Sequence, residues 1–481
     1  MRKMLLAIAA FAGAQGAFAA TADDVEFKMN AELRARYENW MTPSASSSNS
    51  ESKASVKGRA KLNVTARKGE RYQMMVSLLH SSLYGESFSY NTDQANAGIP
   101  NNGSADRDVI ISRAWGWWKA TDNLNIKVGR FGIDLADGSV FSDNDWEQVP
   151  ATHEGLVINY DMDFAKISLY AIKNRMYGAG NGFPAWDPQQ NMYFVSFDLK
   201  NLPEVLKTAN IHIMQVSRDQ VAQSAGSVNA APNSATPVVG FDGSGGVNSL
   251  AGVNEQRAGL ALGGEVAGIM YKLDGAYVTG TGKLSAGNIP GTTSGTDYTI
   301  SQSMIDALLG YHLPDLIGMK VAVGYHTDSG SGNQFNGTQG SKTLGTYDPL
   351  FYDRHTNGGL MDVVRWGNLT YYDATLAVMP MDDLEVGLGY YVFSRSASGS
   401  NSGANVFGAN YADLRGSLSD SAIGSELDAF VNKSYESNFK IAGHFGMFMP
   451  DSYLKNATGA NAGGRQDQTI MQLMLQGTMT F

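Results

Sequence analysis

The stretch Val25-Glu26-Phe27-Lys28-Met29-Asn30-Ala31-Glu32-Leu33-Arg34-Ala35-Arg36-Tyr37-Glu38-Asn39 divides by parity. Its even positions are all polar or charged, and its odd positions are apolar until Asn39. Successive side chains of a strand point to opposite faces, so this is a two-faced strand of more than a dozen residues. The next segment repeats the pattern, with Lys53, Ser55, Lys57, Arg59, Lys61, Asn63, Thr65 and Arg67 against Ala54, Val56, Gly58, Ala60, Leu62, Val64 and Ala66. Ordinary strands run to about 5–6 residues. A strand with one face on hydrocarbon and the other on water needs both the length and the alternation.

Working outward, the same reading predicts strands over 25–39, 53–67, 70–81, 108–119, 124–130, 153–161, 165–175, 190–200, 208–219, 255–267, 269–279, 302–312, 318–327, 363–378, 383–395, 423–435, 437–449 and 465–481. The connections alternate between short turns, such as Lys68-Gly69, and long polar loops, such as 82–107 and 220–254. That asymmetry belongs to outer-membrane barrels, with short periplasmic turns and long external loops. The fold expected is all-β: a transmembrane, antiparallel, up-and-down barrel of about eighteen strands. A barrel of that size is wide enough for an aqueous lumen. Tyr37, Trp40, Trp115, Trp117, Trp118, Tyr160, Tyr390 and Tyr391 lie near predicted rims, where amphipathic rings form girdles or pack inside loops.

Composition narrows the class. Charged residues make up 17% of the 481, below the roughly 25% of soluble domains. No Cys is present, which excludes disulfide scaffolds, zinc fingers and thiol enzymes. Arg2 and Lys3, the apolar Met4–Phe11 run and Ala17-Phe18-Ala19 read as a secretory signal over 1–19, leaving 20–481 as one barrel domain. The acidic balance, 36 Lys+Arg against 46 Asp+Glu, disfavours nucleic acid. The seven His are scattered, with no catalytic or metal-binding spacing around them. No catalytic residue, metal or cofactor is therefore assigned, and the chain is read as a non-enzyme.

By parity, Lys28, Arg34, Arg36, Lys57, Arg59 and Lys61 face inward, followed later by Arg113, Lys127, Arg365 and Arg395. Glu385, Glu426 and Asp428 are their inward acidic counterparts. A basic wall facing an acidic one sets up a transverse field, and charge lining sets ion preference in pores. Loops 131–152, with Asp134, Asp137, Asp143, Asp145 and Trp146, and 328–362 are the candidates to fold inward and constrict the lumen. The last strand alternates to a terminal Phe481. That ending resembles the signal read by the barrel-assembly machinery.

Several motifs now read together: Lys127-Val128-Gly129-Arg130-Phe131, Pro150-Ala151-Thr152-His153-Glu154-Gly155-Leu156, Tyr347-Asp348-Pro349-Leu350-Phe351, Gly424-Ser425-Glu426-Leu427-Asp428 and Phe448-Met449-Pro450-Asp451-Ser452-Tyr453-Leu454. Their order over residues 110–481 resembles the alginate-export family of outer-membrane barrels. The resemblance implies a monomer, where general porins are often trimers, and a selective lumen with an arginine-lined constriction. The function expected is a porin-like channel in the outer membrane of a Gram-negative-type bacterium, passing small polar or anionic solutes. Two alternatives stand beside it: a dedicated channel for an acidic polysaccharide or oligosaccharide, and a structural or adhesive barrel acting through its loops.

Overall fold

The structure, a computed structural model, describes residues 25–43, 50–84, 109–175, 189–218, 250–284, 297–330, 343–398, 405–407, 413–414, 416–417, 419–436, 438–456 and 468–481. The expected leader and most of the long-loop tips lie outside them.

Long alternating segments become long strands. They are β1 (Val25–Pro43), β2 (Ser50–Lys68), β3 (Tyr72–Tyr84), β4 (Ile110–Lys119), β5 (Leu124–Phe131), β6 (His153–Asp161), β7 (Ala165–Arg175), β8 (Gln189–Leu199) and β9 (Thr208–Arg218). Then follow β10 (Leu250–Val266), β11 (Ile269–Leu284), β12 (Asp297–Leu313), β13 (Met319–Asp328), β14 (Thr370–Met381), β15 (Leu384–Ser394), β16 (Ala422–Tyr435), β17 (Phe439–Pro450) and β18 (Ile470–Thr480). Each pairs antiparallel with its chain neighbour, and β1 pairs with β18 from Glu32↔Thr480 to Met41↔Met471, which closes an eighteen-stranded barrel. Closure pairs the backbone polar groups that hydrocarbon would otherwise leave unsatisfied.

One expected boundary is corrected. Val363-Val364-Arg365-Trp366 is not the start of a wall strand, because Asp362, Gly367 and Asn368 take left-handed backbone, with φ of 57°, 117° and 60°, and break it. Val364–Arg365 pairs instead with Asn405–Phe407 in a small separate sheet. Arg365 therefore lies in a loop.

The two barrel faces differ as the parity predicts. Met74, Val128, Leu169, Ile213, Leu309, Val323 and Leu388 stand exposed on the outside, the surface a bilayer covers. Tyr72, Trp118, Tyr160, Tyr311 and Tyr435 are exposed near the turn end. Trp40, by contrast, is buried inside, and Trp115, Trp117 and Tyr391 also make inward contacts.

The interior changes character along its axis. Toward the turn end it is polar: Asn159 donates to Asn125 (2.8 Å), Ser168 to Asn159 (2.7 Å) and Asn210 to Ser196 (2.7 Å). Toward the loop end, inward Val157, Ile172, Met192, Phe194, Met214 and Val216 are buried against Phe131, Ile133, Leu135, Val140 and Phe141. Loop 132–152 has thus folded into the barrel. Loop 343–369 does the same on the far side, where Tyr347, Tyr352, Met361, Val363, Trp366 and Leu369 pack on inward Trp40, Val278, Met304, Tyr371, Phe393 and Phe448. Each fully buried large side chain contributes about 1.5–3 kcal/mol, so these loops are held as small hydrophobic cores.

Candidate functional site

The loops meet inside the barrel. The Ser142 amide donates to the Phe351 carbonyl (2.7 Å), the Asp353 amide to the Gly138 carbonyl (2.7 Å), and Arg354 pairs with Glu147 at 2.6 Å. Phe141 stacks on Phe351 with centroids 5.3 Å apart. The lumen is narrowed from two sides at once.

Loop 132–152 is anchored by cations of the wall. Arg34 donates to the carbonyls of Asp145 (2.9 Å) and Glu147 (2.6 Å) and to Gln148 Oε1 (3.3 Å). Arg36 donates to the Trp146 carbonyl (2.6 Å), and Arg59 to the carbonyls of Asp145 (2.8 Å) and Glu147 (3.0 Å). Asp145 also meets Arg59 at 3.0 Å and Lys61 at 3.1 Å. Burial raises the Asp145 carboxyl, but these two cations outweigh it and hold it below its usual range. The Arg36 guanidinium lies 3.8 Å from the Trp146 ring centre, and the His355 ring stacks 3.5 Å from the same centre. Two groups so close cannot share one face, so the indole is sandwiched.

Loop 343–369 is anchored mainly by carboxylates, with Arg257 donating to its Asp348 carbonyl (2.6 Å). Asp328 accepts from the amides of Gly367 (2.7 Å) and Leu369 (2.8 Å). Asp428 accepts from Leu360 N and Glu426 from Met361 N, both at 3.0 Å. Gly359, at φ +95°, is what lets the backbone approach: a Cβ there would lie 2.3 Å from Glu426 Oε1. Trp366, fully buried, stacks on His326 at 4.2 Å and Tyr352 at 4.4 Å.

The inward residues expected from the sequence fall into three groups. Arg34, Arg36, Lys57, Arg59 and Lys61 form one cluster with Glu32 and Glu38, in which Lys57 meets Glu38 at 2.8 Å and Arg59 bonds Glu32. Arg113 bonds Asp143 in the same loop, and Lys127 lies 5.0 Å over the Trp115 ring. Glu426 and Asp428 sit together on β16, fully buried, with His444 2.9 Å from Asp428. Others stand apart. Lys28, exposed, meets Glu26 at 3.3 Å on the overhanging end of β1. Glu385 accepts from Asn432 (3.3 Å) near the turn end. Arg395 lies one residue beyond β15, donates to the Asp420 carbonyl (2.8 Å) and covers Tyr453. Parity missed Asp328, Asp306 and His326, whose carboxylates flank the ring at 3.3 and 3.1 Å. It also missed His355; the signal in the sequence that could have found either group is an Asp two residues from a His, at 326–328 and 353–355.

A cavity of about 310 Å³ remains between the loops and the β1–β2–β18 wall. It is lined by Glu32, Arg34, Arg59, Asp145, Trp146, Asp353, His355, Thr356, Gln476 and Thr478.

Among solved structures, the chain resembles a BenF-like porin from Pseudomonas fluorescens Pf-5 (TM-score 0.55, 11% identity, covering 95% of this chain and 98% of that one). It also resembles Pseudomonas aeruginosa OccK9 (OpdG), with TM-score 0.54, 11% identity and coverage of 95% and 99%. OccK2 (OpdF) of the same species is similar at TM-score 0.54 and 9% identity, over 94% and 98%. At such identities the likeness is one of fold. No curated protein matches the chain by sequence. The family model described as "Alginate export" matches residues 25–466, which is nearly all of the barrel. With its closed eighteen-stranded wall and inward loops, the chain belongs to the alginate-export family of outer-membrane β-barrels.

Proposed function

We propose that the protein is a porin-like channel for passive diffusion of small polar or anionic solutes, and not an enzyme. The observation that carries this reading is the charge arrangement inside a closed barrel. Cations outnumber carboxylates on the inward faces of β1, β2, β4 and β5, where Glu32 and Glu38 are the acidic members, and carboxylates outnumber cations on those of β10–β16, where Arg257 and Lys272 are the basic ones. Opposed charge across a narrow aqueous path orients polar solutes and sets ion preference. Membership of a family described by alginate export supports a second reading, a dedicated path for an acidic oligosaccharide; the arginines beside the cavity suit carboxylates. Within either reading, residues 20–481 act as one domain, the chain works as a monomer, and β18 with Phe481 addresses the assembly machinery.

The test is planar-bilayer conductance of the refolded protein with reversal potential under a salt gradient. Discrete steps with anion preference are expected, and the triple variant Arg34→Ala/Arg36→Ala/Arg59→Ala lowers that preference. Folded protein without steps would move the function to the loops.

A further inference from the structure

We propose that carboxylate-bearing solutes displace segment Asp145–Gln148 from Arg34, Arg36 and Arg59, where the protein's own loop stands in an anion's place, and so widen the path. The inference rests on the channel reading above.

The acceptors carry the argument. All three arginines are buried, at 3%, 3% and 1% exposure. Toward the loop, their partners are the carbonyls of Asp145, Trp146 and Glu147, the Gln148 amide oxygen and a single carboxylate, Asp145. A guanidinium–carboxylate bond carries charge on both partners and often uses both arms of the fork, which a backbone carbonyl does not match. The cluster itself is charge-imbalanced: five cations, Arg34, Arg36, Lys57, Arg59 and Lys61, meet three carboxylates, Glu32, Glu38 and Asp145. The loop imitates an anion with backbone dipoles, and a true anion competes well for the same donors.

Two further observations make the exchange feasible. The 310 Å³ cavity opens on Arg34, Arg59, Asp145 and Trp146, which gives a small solute somewhere to stand before the loop moves; pockets that hold small molecules start at about 300 Å³. And the segment is not part of the apolar cluster beneath it, whose loop members end at Phe141. Asp145–Gln148 can leave while Ile133, Leu135, Val140 and Phe141 stay packed. What it gives up is the Trp146 sandwich, the Arg354–Glu147 and Lys61–Asp145 pairs and the arginine bonds, and the incoming carboxylates replace the last of these.

Without a native Cys, one reporter thiol is unambiguous. Ser142, 5% exposed at the seam between the loops, is the place for it. In the full-length refolded chain carrying Ser142→Cys, maleimide labelling is expected to accelerate about tenfold in succinate relative to chloride at equal ionic strength. Conductance of the wild-type protein rises over the same succinate range. Asp145→Asn, which leaves every backbone carbonyl in place, lowers the succinate concentration for half effect by about threefold, as loss of a partly exposed ion pair implies. Arg36→Ala labels fast in both salts. Equal labelling in succinate and chloride, in a barrel that conducts, overturns the proposal and leaves the channel reading intact. Succinate-dependent labelling in a folded barrel that never conducts keeps the site and overturns the channel reading.

Discussion

The two inward loops are held mainly by opposite ends of the peptide dipole. Loop 132–152 offers its carbonyls to Arg34, Arg36 and Arg59, whereas loop 343–369 offers its amides to Asp328, Glu426 and Asp428, with the Asp348 carbonyl on Arg257 as the exception. Buried charge needs partners, and a loop can supply either sign from its backbone without spending side chains on it. The charge division of the wall therefore has two roles. In the proposed channel it polarises the lumen, and in the fold it matches loop carbonyls to the basic arc and loop amides to the acidic one. The two anchorages also differ in depth. Asp328 is buried with its loop's apolar cluster around it, while Asp145 borders an open cavity. The acidic anchorage is built into a core; the basic one sits at a wet margin.

That difference is open to attack, beginning with its largest consequence. Trp366→Ala removes the centre of the second loop's core and costs about 3–5 kcal/mol; limited proteolysis should then cut within 343–369 and spare 132–152. If both loops become cleavable together, they are one unit and the contrast fails. Asp328→Ala leaves the amides of Gly367 and Leu369 unpartnered, at about 1–3 kcal/mol for each buried group left unsatisfied. Amide hydrogen exchange at those two positions should rise, while that of Phe141 stays slow. His355→Ala strips one face from Trp146 and costs about 0.5–1.5 kcal/mol. Its signature is a change in Trp146 emission, checked against Trp146→Phe, with little change in melting. The smallest effect is one of pH. Asp145 is held below its ordinary value of 3.8 by Arg59 and Lys61 against its burial, so its ion pairs are fully present above that value and are lost as pH falls through the depressed one. Labelling of Ser142→Cys, divided at each pH by that of free cysteine because only the thiolate reacts, should be flat from neutrality to about pH 4 and rise only below it. A rise near pH 6 would point to another group.

Much of the wall was legible in sequence because alternation is a local property. β6 and β7 begin and end where parity places them, and the basic faces of β1 and β2 point inward. The interior was harder. Arg34, Arg36 and Arg59 could be named, but not their loop partners, since a backbone carbonyl leaves no mark in the sequence. Met192, Phe194, Met214 and Val216 blur the alternation at the loop end because there both faces of the wall are apolar, one toward lipid and one toward loop 132–152. Val363–Trp366 looked like strand for the related reason that a buried loop core is as apolar as a strand; the left-handed residues around it decide otherwise.

The seam between β1 and β18 sets the order in which the barrel can be made. Every other wall pairing joins chain neighbours, whereas Arg36 bonds Gln476 across 440 residues. Neighbouring hairpins zip with little loop-closure entropy, and one long-range step remains. Until Ala31 and Phe481 exchange their backbone bonds, at 2.9 and 3.1 Å, the growing sheet has two unsatisfied edges. The first and last strands are thus the parts of this protein that most need a chaperoned meeting, and the overhanging Val25–Asn30, paired only to β2, is the stretch of edge that persists after it.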